Sequence, residues 1–496
     1  MKSPAILLLC LALQPAGIAA DVSSRALPRS SPEEQGISSA AILAFVEAAD
    51  KQVNAMHSLM LVRHGHVVAE GWWTPYAAES RHLLHSLSKS FTSTAVGLAI
   101  AEGKFSLDHE VLKSFPDEAP AEPSAYLKAM RVRDLLSMST GHQTEAAFST
   151  NQTWVSTFLS HSVPHKPGAH FLYNTPATYM LSAIVQKTTG MTVLDYLRPR
   201  LFDPLGIEGP TWGASPQGIT FGGFGLSIRT EDIARFGQLY LQKGKWGDRQ
   251  LVPADWVASA TARQVSNGSN PKSDWEQGYG FQFWRCRYGI FRGDGAFGQF
   301  CVVLPDHQAV IAITAGTRDM QAVLNLIWDK LLPALQTGPL PADREARQKL
   351  SARLANLALP PQEGLASPGS PAQVSGRRFA FPANDQKIES IALELGGAGG
   401  GVNLSMRANG IEHRVACGKG AWLKGRMAYA SIPDQPVAVS GAWASEDTYV
   451  AKFCFFETPT TVTVTLKFSG DQLLCDSESN VGFGAAKRPQ LTGRAQ

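Results

Sequence analysis

The 496-residue chain predicts a mixed α/β region of enzyme size followed by a small all-β domain. Three observations predict it. Helix-like and strand-like patterns alternate from about Pro32 to Leu357, a Pro/Gly-rich joint follows, and beyond the joint the hydrophobic period becomes two. Hydrophobic types at 44% and charged types at 18% give a globular balance that excludes disordered and collagen-like chains. The net charge of +3 is too small to act as an electrostatic footprint for nucleic acid or an anionic membrane. The expected partner is therefore a small-molecule or peptide substrate, and the oligomeric state stays open. Six cysteines without a C-x-x-C pair make neither a disulfide scaffold nor a zinc or redox motif.

Residues 1–20 open Met-Lys, continue with an apolar stretch from Ala5 to Leu13, and end in Ala19-Ala20 before Asp21. This is the pattern of a signal peptide, so a secreted or periplasmic location is expected. The apolar run is about half of the roughly 20 residues that a membrane span needs, and Pro15 breaks it, so stable membrane insertion is not expected.

Residues 21–358 form the larger domain. Ser58 to Trp73 predicts a β-hairpin turning near His64-Gly65, and Ser86 to Glu102 a helix rich in Ala, Leu and Thr. Gln308 to Gly316 reads as a buried strand, followed by a helix from about Met320 to Leu332 and a charged helix from Asp343 to Leu357. Pro360-Pro361, Gly364, Pro368-Gly369 and Pro371 mark a linker over 359–374. In the second domain, 375–496, Val402, Leu404 and Met406 alternate with polar residues, Asn409-Gly410 supplies a hairpin turn, and Val462 to Phe468 alternates likewise. These segments predict a small antiparallel sandwich or barrel without a concentrated set of titratable groups.

One motif has a spacing that chemistry can use, although an ordinary helix start fits the same four residues. In Ser86-Leu87-Ser88-Lys89 the amine three residues on shares a helix face with the first hydroxyl. A serine with a lysine partner is an established activated nucleophile, and the helix dipole favours negative charge developing there. The same spacing at Ser269-Asn270-Pro271-Lys272 lies in a loop and is set aside.

The setting of Ser86, the run Arg131 to His142 (RVRDLLSMSTGH), and Phe224-Gly225-Leu226-Ser227 before Asp232-Ile233-Ala234-Arg235-Phe236-Gly237 together resemble the serine β-lactamase and penicillin-binding-protein superfamily. The similarity spans about residues 32 to 335 and points to the branch of class C β-lactamases, D-alanyl-D-alanine carboxypeptidases, esterases and nylon-oligomer hydrolases. The resemblance implies a β-lactamase/transpeptidase-like α/β (α+β) fold, an antiparallel sheet flanked by helices plus an all-helical region. It also implies an acyl-enzyme on Ser86 formed without a cofactor or metal.

The family's second motif, Tyr-x-Asn, is absent; Tyr173-Asn174-Thr175 is the nearest match, which places Tyr173 on the family's tyrosine and Thr175 where its asparagine stands. Tyrosine is the usual general base of this branch, so the resemblance implies that Tyr173, with Lys89, takes the Ser86 proton. At neutral pH this requires that nearby cations such as Lys89 favour the phenolate or that proton and charge move in concert. The third motif, Lys-Thr-Gly, aligns with Gly293-Asp294-Gly295, so its cation is missing and Arg292 is the nearest substitute. By resemblance, Gly295 lets substrate lie flat on the strand edge, and the N–H of Ala296 joins that of Ser86 in holding the oxyanion. Gly293 to Gly298 also spells G-x-G-x-x-G, but a strand rather than a helix follows, which excludes a dinucleotide fingerprint.

A strand between Cys286 and Cys301 is expected to keep them unbridged. The pairs His64/His66 and His82/His85, and His161, His165 and His170, show no metal-ligand spacing and read as solvated or packing histidines. The reading is a secreted serine hydrolase of esters or amides. The alternatives are a β-lactamase or D,D-carboxypeptidase and, from another class, a non-catalytic penicillin-recognising protein.

Overall fold

The computed structural model describes residues 26–149, 151–369, 374–396, 401–430 and 432–496. The signal-peptide expectation lies outside them. Six antiparallel strands build the central sheet: β1 (Met56–Arg63), β2 (His66–Trp72), β3 (Trp284–Arg285), β4 (Phe291–Gly295), β5 (Gln299–Leu304) and β6 (Ala309–Ala315), in the order β2-β1-β6-β5-β4-β3. The hairpin turns at His64-Gly65, where both residues take positive φ (48° and 79°).

Strand alternation divides the core in two. Met60 and Val62 face a cluster with α2 (Ser88–Ala101), α3 (Thr175–Thr189) and α4 (Thr230–Leu241), whereas Leu59 and Leu61 face α1 (Ser39–Gln52). In α1 the buried Ile42, Phe45, Val46 and Ala49 follow helical spacing, and the Ser38 hydroxyl caps the first turn by accepting from Ala41 N–H.

Helix α2 is buried almost all round, so its small and hydroxylated residues must pack closely and satisfy themselves. A Cβ on Gly97 would stand 2.4 Å from the Trp256 ring. The Thr92 hydroxyl donates to Gly222 O (2.8 Å), and that of Ser90 to Gln282 O (2.8 Å). Phe91 stacks on Phe236 at 3.9 Å, a contact whose loss to alanine costs about 3–5 kcal/mol.

The C-terminal region is a ten-stranded antiparallel near-barrel among the described residues, from Arg378–Ala380 to Leu491–Ala495. Its apolar positions turn inward: Val462, Val464 and Leu466 are buried while Thr461, Thr463 and Thr465 are half-buried. It meets the larger domain through Leu83 N–H donating to Glu457 O (2.8 Å) and the Tyr76 hydroxyl donating to Thr458 O (2.9 Å). Asn480 Nδ2 also donates to Gly316 O (3.0 Å).

Candidate active site

A short three-stranded sheet sets the entry to α2. His82–Leu83 pairs with Leu226–Ile228, and Leu84 N–H donates to Leu226 O (2.8 Å). The chain then turns through His85, which takes φ 47°, into a 3₁₀ turn His85–Leu87 that carries Ser86. Ser86 thus stands one turn before α2 proper, at the positive end of the helix. Ser88 pins this turn: its hydroxyl donates to His85 O (2.6 Å) and accepts from Leu226 N–H (3.1 Å). Ser86 itself remains partly open to solvent.

Lys89 projects back beneath Ser86, with Nζ 3.1 Å from Ser86 Oγ. The amine also donates to Gly223 O (2.8 Å) and Thr175 Oγ1 (3.3 Å). It is almost wholly buried, and burial pushes its pKa down to about 7 against the milder upward pull of Glu145 and Asp294. Burial thus favours the neutral amine far more than it would be favoured on an exposed lysine.

Tyr173 lies over the same amine, with Lys89 Nζ 4.9 Å from its ring centroid, and stacks on Trp284 at 5.3 Å. Ser86 lies near its phenol and favours the charged form slightly, yet burial, reinforced by Asp294 and Glu145, raises its pKa well above the usual value. Burial therefore disfavours the phenolate, and Asp294 disfavours it further. Thr175 opens α3 after Asn174, whose side chain accepts from Ala177 N–H; Asn174 is fully buried beside Thr140, so Thr175 is the residue of this pair that reaches Lys89.

At the third motif the glycines serve packing. A Cβ on Gly293 would meet Leu87 Cδ1 at 2.4 Å and Ser90 Oγ at 2.6 Å; one on Gly295 would meet Leu84 O at 1.9 Å and Leu87 N at 3.1 Å. The missing side chain of Gly295 lets β4 abut the turn that bears Ser86. The same approach sets the end of β4, just before Ala296, against the residues Leu84 and Leu87 that bracket the Ser86 turn.

The expectation for Arg292 is corrected. It is completely buried, bonded through Nε to Asp294 Oδ2 (2.8 Å) and through Nη1 to Asp274 O (2.7 Å) and Cys286 Sγ (3.0 Å), with Nη2 in ion-pair contact with Asp294 Oδ2 (2.7 Å). Such a guanidinium cannot meet substrate; it compensates Asp294, whose own pKa burial raises.

Cys286 and Cys301 are free buried thiols in opposite halves of the core, with β4 between their segments. His82 is buried against His57 (3.1 Å), and His161 stacks near His142 at 5.4 Å. Among the described residues no group of three or more His, Cys, Asp or Glu could hold a metal, and no helix is long and apolar enough to cross a membrane.

Sequence reasoning missed Glu145, Gly223 and Phe483. Glu145 is exposed, and its carboxylate accepts from Thr175 N–H (2.9 Å) at the cleft mouth. Gly223 offers only a carbonyl, which leaves no residue-type signal; Phe483 lies in the other domain.

A sheet with a helix behind it, and a Ser-x-x-Lys pair where they meet, define a serine hydrolase of the acyl-transfer kind. The chain belongs to the beta-lactamase family, whose model matches residues 44–330. It is 25% identical over 277 residues to a 6-aminohexanoate-dimer hydrolase of Paenarthrobacter ureafaciens, covering 51% of this chain and 71% of that protein. It is 28% identical over 160 residues to a D-aminopeptidase of Brucella anthropi, covering 30% of this chain and 31% of that one. A solved Bacillus anthracis structure named for the same dimer-hydrolase activity superposes with a TM-score of 0.50 at 19% identity, covering 61% of this chain and 86% of that one.

Proposed function

We propose that the protein hydrolyses esters or linear amides through an acyl-enzyme on Ser86, with Lys89 as the proton acceptor. The observation that carries this reading is the buried Lys89 amine, 3.1 Å from the Ser86 hydroxyl and with its pKa near 7. In its neutral form Lys89 takes the hydroxyl proton as Ser86 Oγ bonds to the carbonyl carbon. The oxyanion rests on the N–H groups of Ser86 and Ala296. Tyr173, a neutral phenol lying over Lys89, then gives its proton to the departing nitrogen or oxygen and regains one from Lys89. Water attacks the acyl carbon, and the proton steps run in reverse to free Ser86.

Linear substrates are favoured over β-lactams because Asp294 and Gly293 stand where the family's cation would receive a carboxylate. Glu145 suits an amino group on the substrate, in keeping with the names of the two relatives. The pattern of residues 1–20 supports export, and N-terminal sequencing of the mature protein tests it by locating cleavage near Asp21. The main test is mass spectrometry after fluorophosphonate treatment. An adduct on Ser86 is expected, and an adduct on any other residue, or none, removes the assignment.

A further inference from the structure

The most exposed large apolar side chain among the described residues is Phe483, at 83% exposure. It belongs to the C-terminal β-domain, in the loop after the strand Gln472–Ser479, yet its nearest aromatic neighbours belong to the catalytic cleft. Its ring lies 5.0 Å from that of Phe297 and 5.8 Å from that of His85. Phe297 follows Ala296 in the turn after β4, and His85 precedes Ser86. His85 and Phe297 touch each other edge to face at 5.4 Å, so the three rings form a continuous group beside the nucleophile.

The root of the loop is fixed although its tip is open. Asn480 Nδ2 donates to Gly316 O and Pro459 O (both 3.0 Å), and Arg318 donates to Asn480 O (3.3 Å) and Gly482 O (3.5 Å). Gly316 is closely enclosed there: a Cβ on it would meet Pro459 O at 2.5 Å and Asn480 Nδ2 at 2.7 Å. Gly482 and Gly484 flank Phe483 with open space around both. The partners of His85 do not make it polar: burial and Lys89 bring its pKa down to about 4, so at neutral pH it presents an uncharged ring.

We propose that Phe483, with Phe297 and His85, forms an apolar subsite that holds an aliphatic or aromatic group of the substrate flanking the scissile carbonyl. A large aromatic side chain left in water gains nothing in the free protein, whereas covering it with a ligand's apolar surface is favourable. The β-domain thereby selects substrate while contributing nothing to the bond-breaking step. This inference rests on the hydrolase reading above.

The test compares the wild type, Phe483→Ala and Phe483→Leu on two ester series. One lengthens the acyl chain from acetyl to octanoyl on a fixed p-nitrophenyl leaving group; the other lengthens the alcohol chain of alkyl acetates. In Phe483→Ala, kcat/KM for the longest member of one series should fall about tenfold, chiefly through KM, while the acetyl and methyl members stay within about twofold. Phe483→Leu should restore most of the loss, and the series that responds shows which flank is held. A uniform loss across both series, or no loss in either, overturns the subsite. If the wild type takes no fluorophosphonate on Ser86, the hydrolase reading falls instead. Because Phe483 is exposed, an unchanged melting temperature is expected and separates selection from folding.

Discussion

Lys89 Nζ stands 3.1 Å from Ser86 Oγ, and its shortest bond is to the carbonyl of Gly223, a partner that accepts a hydrogen bond without supplying negative charge. A carboxylate in that place would hold the amine protonated. A carbonyl lets burial prevail.

The pH dependence follows from that arrangement. The neutral amine is the competent form, so kcat/KM should rise with pH through an apparent pKa near 7 and level off above it. Lys89→Arg, which stays charged, should be inactive throughout. For stability the sign is the same. The folded pKa is depressed, so between about 7 and the ordinary lysine range the unfolded chain binds the extra proton, and this group's contribution grows as pH rises. A pH–rate profile that is flat from 5 to 9 would refute the role.

Ser86→Ala should abolish turnover of every substrate class. Ser88→Ala removes two hydrogen bonds from the turn and should cost about 1–3 kcal/mol of stability, yet leave Ser86 open to fluorophosphonate. Thermal melts and intact-protein mass spectra on the pair distinguish the catalytic hydroxyl from the structural one.

A short p-nitrophenyl ester should have a higher kcat/KM than a nitrocefin-type lactam. A charge-assisted hydrogen bond is worth about 1.5–3 kcal/mol, so the missing cation weakens carboxylate-bearing ligands by roughly ten- to a hundred-fold. Arg292 is completely buried and paired with Asp294, so it does not supply the missing cation. Steady-state kinetics on both substrates check the ranking.

Arg292 and Asp294 should be strongly coupled in a double-mutant cycle. Arg292→Met or Asp294→Asn alone leaves a buried charge without its partner, at a cost of about 3–5 kcal/mol, whereas the double variant should recover a substantial part of that loss. Urea unfolding of the four proteins measures the coupling.

Much of the fold was legible because periodicity is local. The hairpin around His64-Gly65, the strand Ala309–Ala315 and the alternation of Val462 to Phe468 each lie where their own residues predict. Ser86 and Lys89 were legible for the same reason, since three-residue spacing fixes a shared helix face. The direction of Arg292 was not, because strand neighbours alternate and only the positions of Asp294, Cys286 and the Asp274 carbonyl decide where a guanidinium goes. Nor was the reason for Gly295, which depends on Leu84, 211 positions away by residue number. Phe483 was hidden altogether: nothing near it in sequence says that a loop of one domain ends at the cleft of another.

The pairing of β1 with β6 joins Leu59 to Ile313 and Val62 to Val310. These partners are separated by most of the larger domain, so the middle of the sheet cannot close until residue 315 has left the ribosome. Until then the β1–β2 hairpin carries an unpaired apolar edge through the synthesis of some 250 residues, at about 5–20 residues per second. Closing so long a loop is slow, and an exposed strand edge invites pairing with other chains. Production of this protein in quantity should therefore respond more to slower translation or a holding chaperone than to any change at the catalytic cleft.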